Sequence, residues 1–156
     1  MGIDFGIVNT MLIAFNNIDK FYKVNAAPTT KLNRVLIKDK EDPYIIIDKF
    51  TYKYALAVVN LSIKHNSRII QMENLAGAEF TKNQFFFDLQ RQIQYLGNIA
   101  GILTRYVNRD YSSQKCSKCS FIHKDNRIDQ TTFICLKCGL KINADHNAAI
   151  NIAKAL

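Results

Sequence analysis

Two cysteine pairs constrain this chain more than any other feature. Cys116-Ser-Lys-Cys119 and Cys135-Leu-Lys-Cys138 are separated by fifteen residues. A C-x2-C pair can sit on a tight knuckle that points both sulfurs the same way. Two knuckles then close four thiolates into a tetrahedral shell with Zn–S distances of ~2.3 Å, the spacing of a zinc ribbon. Such a shell is structural, with no coordination position left for substrate. The competing readings are four free thiols or two disulfides. The compartment argues against disulfides. The N-terminus shows no basic stretch leading into an apolar run and a small-residue cleavage site. The chain is therefore expected in the cytoplasm, where thiols stay reduced. Lys115, Lys118, Lys124, Arg127 and Lys137 crowd the module. They offset the negative charge of a zinc tetrathiolate and can reach phosphates.

The remaining totals bound the rest. A chain of 156 residues, 48% hydrophobic and 22% charged, forms one domain with a real core and at most a small appendage. The net charge of +8 favours a polyanionic partner, with nucleic acid ahead of a membrane surface. No apolar run approaches the ~18 residues of a membrane span, so no membrane association is expected.

Residues 2–24 read as two or three strands, with a turn at Asn16-Asn17-Ile18-Asp19. Residues 25–43 are polar and basic, with Lys31, Arg34, Lys38 and Lys40, and part of this stretch is expected to be helical. A helix is predicted from Asp48, its cap, with Tyr54, Val58, Leu61 and His65 at helical spacing and Asn66 as the C-cap. Arg68 to Glu73 reads as a buried strand. Residues 82–100 read as an amphipathic helix with Phe85, Leu89, Ile93, Leu96 and Ala100 inside and Gln90, Arg91, Gln92 and Gln94 outside. Phe85-Phe86-Phe87 is read as core rather than a base-stacking platform. Ile102 to Val107 is a further strand, and a last helix is predicted from about Asn147. Helix, short turn and apolar strand in succession point to layered α/β packing.

Three acids stand out in this frame. Asp4 sits within Gly2-Ile3-Asp4-Phe5-Gly6-Ile7-Val8, which otherwise runs like a buried strand. A buried carboxylate is costly unless it is paired, hydrogen-bonded or metal-bound. Glu73 ends the strand Ile69–Met72, and Asp145 opens the last helix in INADHNAAINIA. Acids at such positions can converge at one edge of an α/β sheet, where their repulsion calls for a divalent cation. Mg²⁺ takes a few carboxylates, waters and substrate phosphate. Two such ions ~3.5–4 Å apart can activate water against a phosphodiester. The plain alternatives are a hydrogen-bonded Asp4, an exposed strand-end Glu73 and an Asp145 that only caps its helix.

GIDFG, IIQMENLAG, CSKC…CLKCG and NADHNAAINIA, in that order, resemble the catalytic half of the TnpB transposon-encoded nucleases and the miniature type V CRISPR effectors. The similarity covers nearly the whole chain and is weakest at about residues 20–50. It implies an α/β, RNase H-like (RuvC) mixed sheet flanked by helices, with a zinc ribbon inserted before the last motif. The implied boundaries are 1–111 for the nuclease core, 112–140 for the ribbon and 141–156 for the last motif and C-terminal helix. The family's metal-binding acids match Asp4, Glu73 and Asp145, with Mg²⁺ or Mn²⁺ as the implied ion. Arg127 is similar in position to an arginine that these nucleases place near the scissile phosphate. The implied partners are a DNA substrate, a guide RNA and a recognition subunit or homodimer. Such a partner is implied because the family's N-terminal β-barrel wedge and helical lobe have no counterpart here. Ser120 stands where a glycine is often found after the first cysteine pair, and residues 25–47 are shorter than the family's basic helical hairpin.

The leading expectation is a metal-dependent, RNA-guided DNA endonuclease domain that needs a recognition half. The alternative is a non-catalytic zinc-ribbon remnant that binds nucleic acid or a partner. An actin-like ATPase, suggested by GIDFG alone, would need further glycine-rich phosphate loops and a second lobe.

Overall fold

The computed structural model describes residues 1–5, 11–15, 21–24, 43–75, 80–108 and 110–155. The expected turn at residues 16–19 and the basic stretch at residues 25–42 lie outside the described residues. The fold is mixed α/β. Strands β1 (Gly2–Asp4), β2 (Met11–Ala14), β3 (Phe21–Val24), β4 (Ile69–Glu73) and β5 (Leu103–Val107) order as β3-β2-β1-β4-β5 in one sheet. β1 pairs antiparallel with β2 and parallel with β4, so the sheet is mixed. Helices α1 (Pro43–Lys64), α2 (Phe80–Ile99) and α3 (Ala144–Lys154) complete the main elements. A separate two-stranded sheet pairs β6 (Thr132–Ile134) with β7 (Lys141–Asn143).

The chain divides into two compact units. The first comprises Met1–Val24, Gln71–Asn74 and Tyr106–Leu156. Its central contact is α3 lying on β1 and β2. Ala148, Ala149, Ile152 and Ala153 are buried on that helix, against a sheet that buries Ile3, Leu12, Ile13 and Ala14. Gly2 explains the closeness. A Cβ there would sit 2.2 Å from the Ala153 amide nitrogen and 2.4 Å from the Ala149 carbonyl oxygen. Gln71 adds a hydrogen bond from its side-chain amide to the Ala155 carbonyl.

The second unit comprises Asn25–Ile70 and Leu75–Arg105 and holds α1 against α2. α1 begins five residues before the predicted Asp48 start. Pro43 at its first position explains this, since proline's fixed φ suits a helix start. Its C-terminus agrees with the reading of Asn66. That residue has φ 52°, Ser67 N–H donates to Ser62 O and Asn66 N–H to Ile63 O, the pattern of a Schellman motif. The buried face of α1 is Thr51, Ala55, Val58, Val59 and Ser62 rather than a stripe centred on Tyr54, Leu61 and His65. Thr51, Ala55 and Ser62 carry too little hydropathy to mark that face in sequence. On α2, Phe85, Leu89 and Ile93 are buried as expected, Gln90 is buried too, and Ala100 lies just past the helix end and is exposed. The buried arc is wider than one stripe and includes Gly97, where a Cβ would meet Thr104 Cγ2 at 3.2 Å. Phe85 packs edge-on to Tyr54 and Phe86, whereas Phe87 is exposed.

Candidate active site and metal centre

The two cysteine knuckles share one geometry. Cys116 N–H donates to Phe121 O and Cys135 N–H to Leu140 O, both at 2.9 Å. Ser120 N–H donates to Cys116 O and Gly139 N–H to Cys135 O, also at 2.9 Å. Ser120 and Gly139 occupy the same left-handed corner, with φ 61° and 69°. The four Sγ atoms lie within 4.8 Å of one another. Cys116 and Cys138 are 3.7 Å apart and Cys119 and Cys135 are 3.5 Å apart. A tetrahedron with Zn–S bonds of ~2.3 Å has edges of about 3.8 Å, so the sulfurs fit zinc. Burial pushes the Cys116 thiol up to about 12. Burial pushes on Cys135 as well, but backbone N–H groups of Cys138 and Lys137 and the neighbouring thiols hold it at about 6. Lys115, Lys118, Lys124 and Lys137 are exposed around this centre.

Asparagines that the sequence reading passed over fasten the ribbon. Asn126 is fully buried. Its amide donates to Gln114 O and Phe121 O near the first knuckle, and its oxygen accepts Leu136 N–H from the second. Asn147 on α3 donates to Lys115 O and accepts Ser117 N–H, and Asn151 donates to Ser112 O and Lys115 O. Asn143 caps the helix by accepting His146 N–H. The helix therefore starts at Ala144, three residues before the predicted Asn147, and Asp145 lies inside its first turn without being its cap. Asn143, Asn147 and Asn151 recur every four residues, a polar stripe that was visible in the sequence.

Asp4, Glu73 and Asp145 are all buried. They come from β1, the end of β4 and the first turn of α3, three elements far apart in the chain. The Asp4 and Glu73 carboxyl groups are hydrogen-bonded to each other. Burial first, then that bond, then the charges of Glu73 and Asp145 push the Asp4 carboxyl up to about 9, while Arg127 pulls it down. The pair of carboxyls thus holds on to a proton more tightly than isolated carboxyls do. Arg127 Nη2 donates to Asp145 Oδ1 at 3.5 Å and to Gln130 O at 3.0 Å. Among the described residues, the four cysteines are the set of ligating side chains that closes within 4.8 Å; the carboxylates gather around Asp4 more loosely. Buried carboxyls that share a proton offer hard oxygen donors to a divalent cation, which would relieve the same repulsion.

Residues 86–152 match the family described as Cas12f1-like, TNB domain. The chain is 40% identical over 111 residues to the CRISPR-associated endodeoxyribonuclease Cas12f1 of Sulfoacidibacillus thermotolerans, covering 68% of this chain and 26% of that protein. A TnpB-like protein of Aquifex aeolicus (strain VF5) is 36% identical over 67 residues, covering 40% of this chain and 21% of that protein. The fold is similar to a chain in the cryo-EM structure of a Cas12f1-sgRNA-target DNA complex. The TM-score is 0.76 at 25% identity, covering 98% of this chain and 49% of that one. The chain spans about a quarter of the length of the curated Cas12f1 relatives, 26% and 28% for two of them. Among the described residues no helix is long and apolar enough to cross a membrane. Ribbon, mixed sheet and sequence agree, and the chain belongs to the family of the TnpB proteins and miniature type V CRISPR effectors.

Proposed function

We propose that this chain is the nuclease core of an RNA-guided DNA endonuclease, with an RNase H-like RuvC fold over residues 1–111 and 141–156 and the zinc ribbon at 112–140 as its insert. The observation that carries this reading is the convergence on Asp4. Glu73 and Asp145 push its carboxyl up and Arg127 pulls it down, which supports a site shared by β1, β4, α3 and the ribbon. Relatives named as endodeoxyribonucleases, and a similar chain solved with guide RNA and target DNA, support DNA as substrate and RNA as guide.

Asp4, Glu73 and Asp145 would hold Mg²⁺ or Mn²⁺. When bound, a pair of such ions supplies a deprotonated water as nucleophile and neutralises charge on the leaving oxygen of a phosphodiester. The chain's own residues do the rest. Asp4 would give up its proton to hold the ion. The Arg127 guanidinium, anchored to Gln130 O, presents fixed positive charge beside Asp145, where charge grows on a phosphate in the transition state. Burial of the carboxylates keeps water from screening that charge.

The test is cleavage of single-stranded DNA with and without added Mg²⁺, a guide RNA and the remaining part of a relative supplied as a second chain. Metal-dependent cutting is expected. Asp4→Ala, Glu73→Ala and Asp145→Ala should each abolish it, with the zinc content unchanged. DNA binding without cutting under every condition would favour the non-catalytic ribbon instead.

A further inference from the structure

We propose that Asp129 is a positioning residue that sets the Arg127 guanidinium against Asp145. The proposal rests on the reading of the carboxylate cluster as the reaction centre, but its first observable does not depend on metal or cleavage.

Asp129 lies at the tip of the segment that leads into β6. One carboxylate oxygen, Oδ1, accepts Thr131 N–H at 2.7 Å, Thr131 Oγ1–H at 2.9 Å and Thr132 N–H at 2.8 Å. The turn is closed by Ile128 N–H donating to Thr132 O at 3.0 Å and by a bridge between Arg127 and Phe133. The bonds from Thr131 and Thr132 hold this carboxyl down at about 2. Two consequences follow from the closed turn. It aims the Gln130 carbonyl at Arg127, whose Nη2 donates to it at 3.0 Å. It also aims the Thr131 carbonyl at the start of α3, where Ala144 N–H donates to it at 2.8 Å, one residue before Asp145. Both partners of the Arg127–Asp145 pair are therefore indexed to one turn.

An arginine side chain loses rotamer entropy when held in one place. Arg127 bears that loss in a partly buried pair at 3.5 Å, a separation at which the ion pair alone holds it loosely. The Gln130 carbonyl is the closer partner, and Asp129 fixes that carbonyl. Asp129 itself is exposed, so it acts on the centre through Arg127. Its charge strengthens these bonds without setting their direction. An asparagine offers the same acceptor oxygen to the same donors.

The test uses the zinc-loaded chain and two readouts. The first is the Arg127 Nε–H resonance in ¹⁵N NMR, dispersed and slow to exchange when the guanidinium is held. Asp129→Ala should collapse it to the free-arginine position, and Asp129→Asn should preserve it. The second is Mn²⁺ binding. Arg127→Ala removes a cation beside the carboxylates and should tighten Mn²⁺ about tenfold. Asp129→Ala should tighten it similarly, Asp129→Asn should not, and the double variant should match Arg127→Ala alone. If Asp129→Ala loses zinc, Thr131→Val removes one of the three bonds and should give a weaker form of both effects. A retained Nε–H resonance in Asp129→Ala, equal effects of Ala and Asn, or additive effects in the double variant would each overturn the proposal. Failure of every variant to bind Mn²⁺ would instead refute the metal reading and leave the resonance to decide on Asp129.

Discussion

Ser120 and Gly139 do the same work with different chemistry. Each places φ in the left-handed region four residues after the first cysteine of its knuckle. A Cβ at Gly139 would meet nothing within 4 Å, so only its backbone angle selects glycine there. Ser120 therefore carries conformational strain on the order of 1 kcal/mol, as L residues do at such angles. Ser120→Gly is expected to raise the stability of the zinc-loaded ribbon by up to about 1 kcal/mol, less the entropy that glycine adds to the unfolded chain. Resistance to a chelator measures it, and faster zinc loss would contradict the account. Asp4 is a second residue at a cost. Its folded carboxyl titrates at about 9, above the unfolded value of ~3.9, so the folded chain binds more protons between those values. Stability is then lost as pH rises through that window, by at most about 1.4 kcal/mol per pH unit. Without added divalent metal, the zinc-loaded chain should lose stability from pH 5 to 9 more steeply than Asp4→Asn. Parallel denaturation profiles for the two would disprove this.

At the scale of elements, the helix–strand seam under α3 is the most demanding contact. Gly2 lets the helix backbone approach β1 to within 2.2 Å of where a Cβ would stand, and the obstacles are backbone atoms that cannot rotate away. Gly2→Ala should cost about 3 kcal/mol or expel the helix, which thermal unfolding of the variant would report. Asp145 rides on that helix, so the proposed cleavage should fall with it. This seam shows why parts of the fold were legible and others were not. The cysteine spacing dictates two knuckles because the ligand chemistry allows little else, and the apolar run Ile69–Met72 marks β4 by burial alone. The last helix was displaced by three residues because Asn143, not Asp145, competes best for the free N–H groups. The inner face of α1 escaped because Thr51, Ala55 and Ser62 pack by size rather than hydropathy. Asn126 could not be found from spacing at all. Its bonds go to backbone atoms that only the folded ribbon brings together. The three acids stood out as misfits in apolar or helical settings, but their partnership and the anchoring of Arg127 required the topology.

For the whole molecule, charge and reach separate binding from cutting. The net charge of +8 includes four exposed lysines around the ribbon, so single-stranded DNA should bind and do so in a salt-dependent way. The logarithm of affinity is expected to fall by roughly 0.7 per neutralised phosphate with each tenfold rise in salt. Such contacts recognise phosphates at many registers. The proposed cleavage needs one register, with a single phosphodiester in line with the carboxylate cluster. Correct placement can supply ~7–11 kcal/mol of a barrier, and diffuse lysine contacts supply little of it. The chain spans 26% of the length of a relative that carries the endodeoxyribonuclease name. We therefore expect the chain alone to bind DNA and cut it weakly. Addition of the relative's remaining segment with guide RNA should raise the rate at least about 10²-fold, the scale on which misplacement costs an enzyme its rate. The increase should vanish in Asp145→Ala and persist in a variant with Lys118 and Lys137 changed to alanine. Full guide-directed cutting by these residues alone would show that the ribbon and the sheet already hold the strand in register.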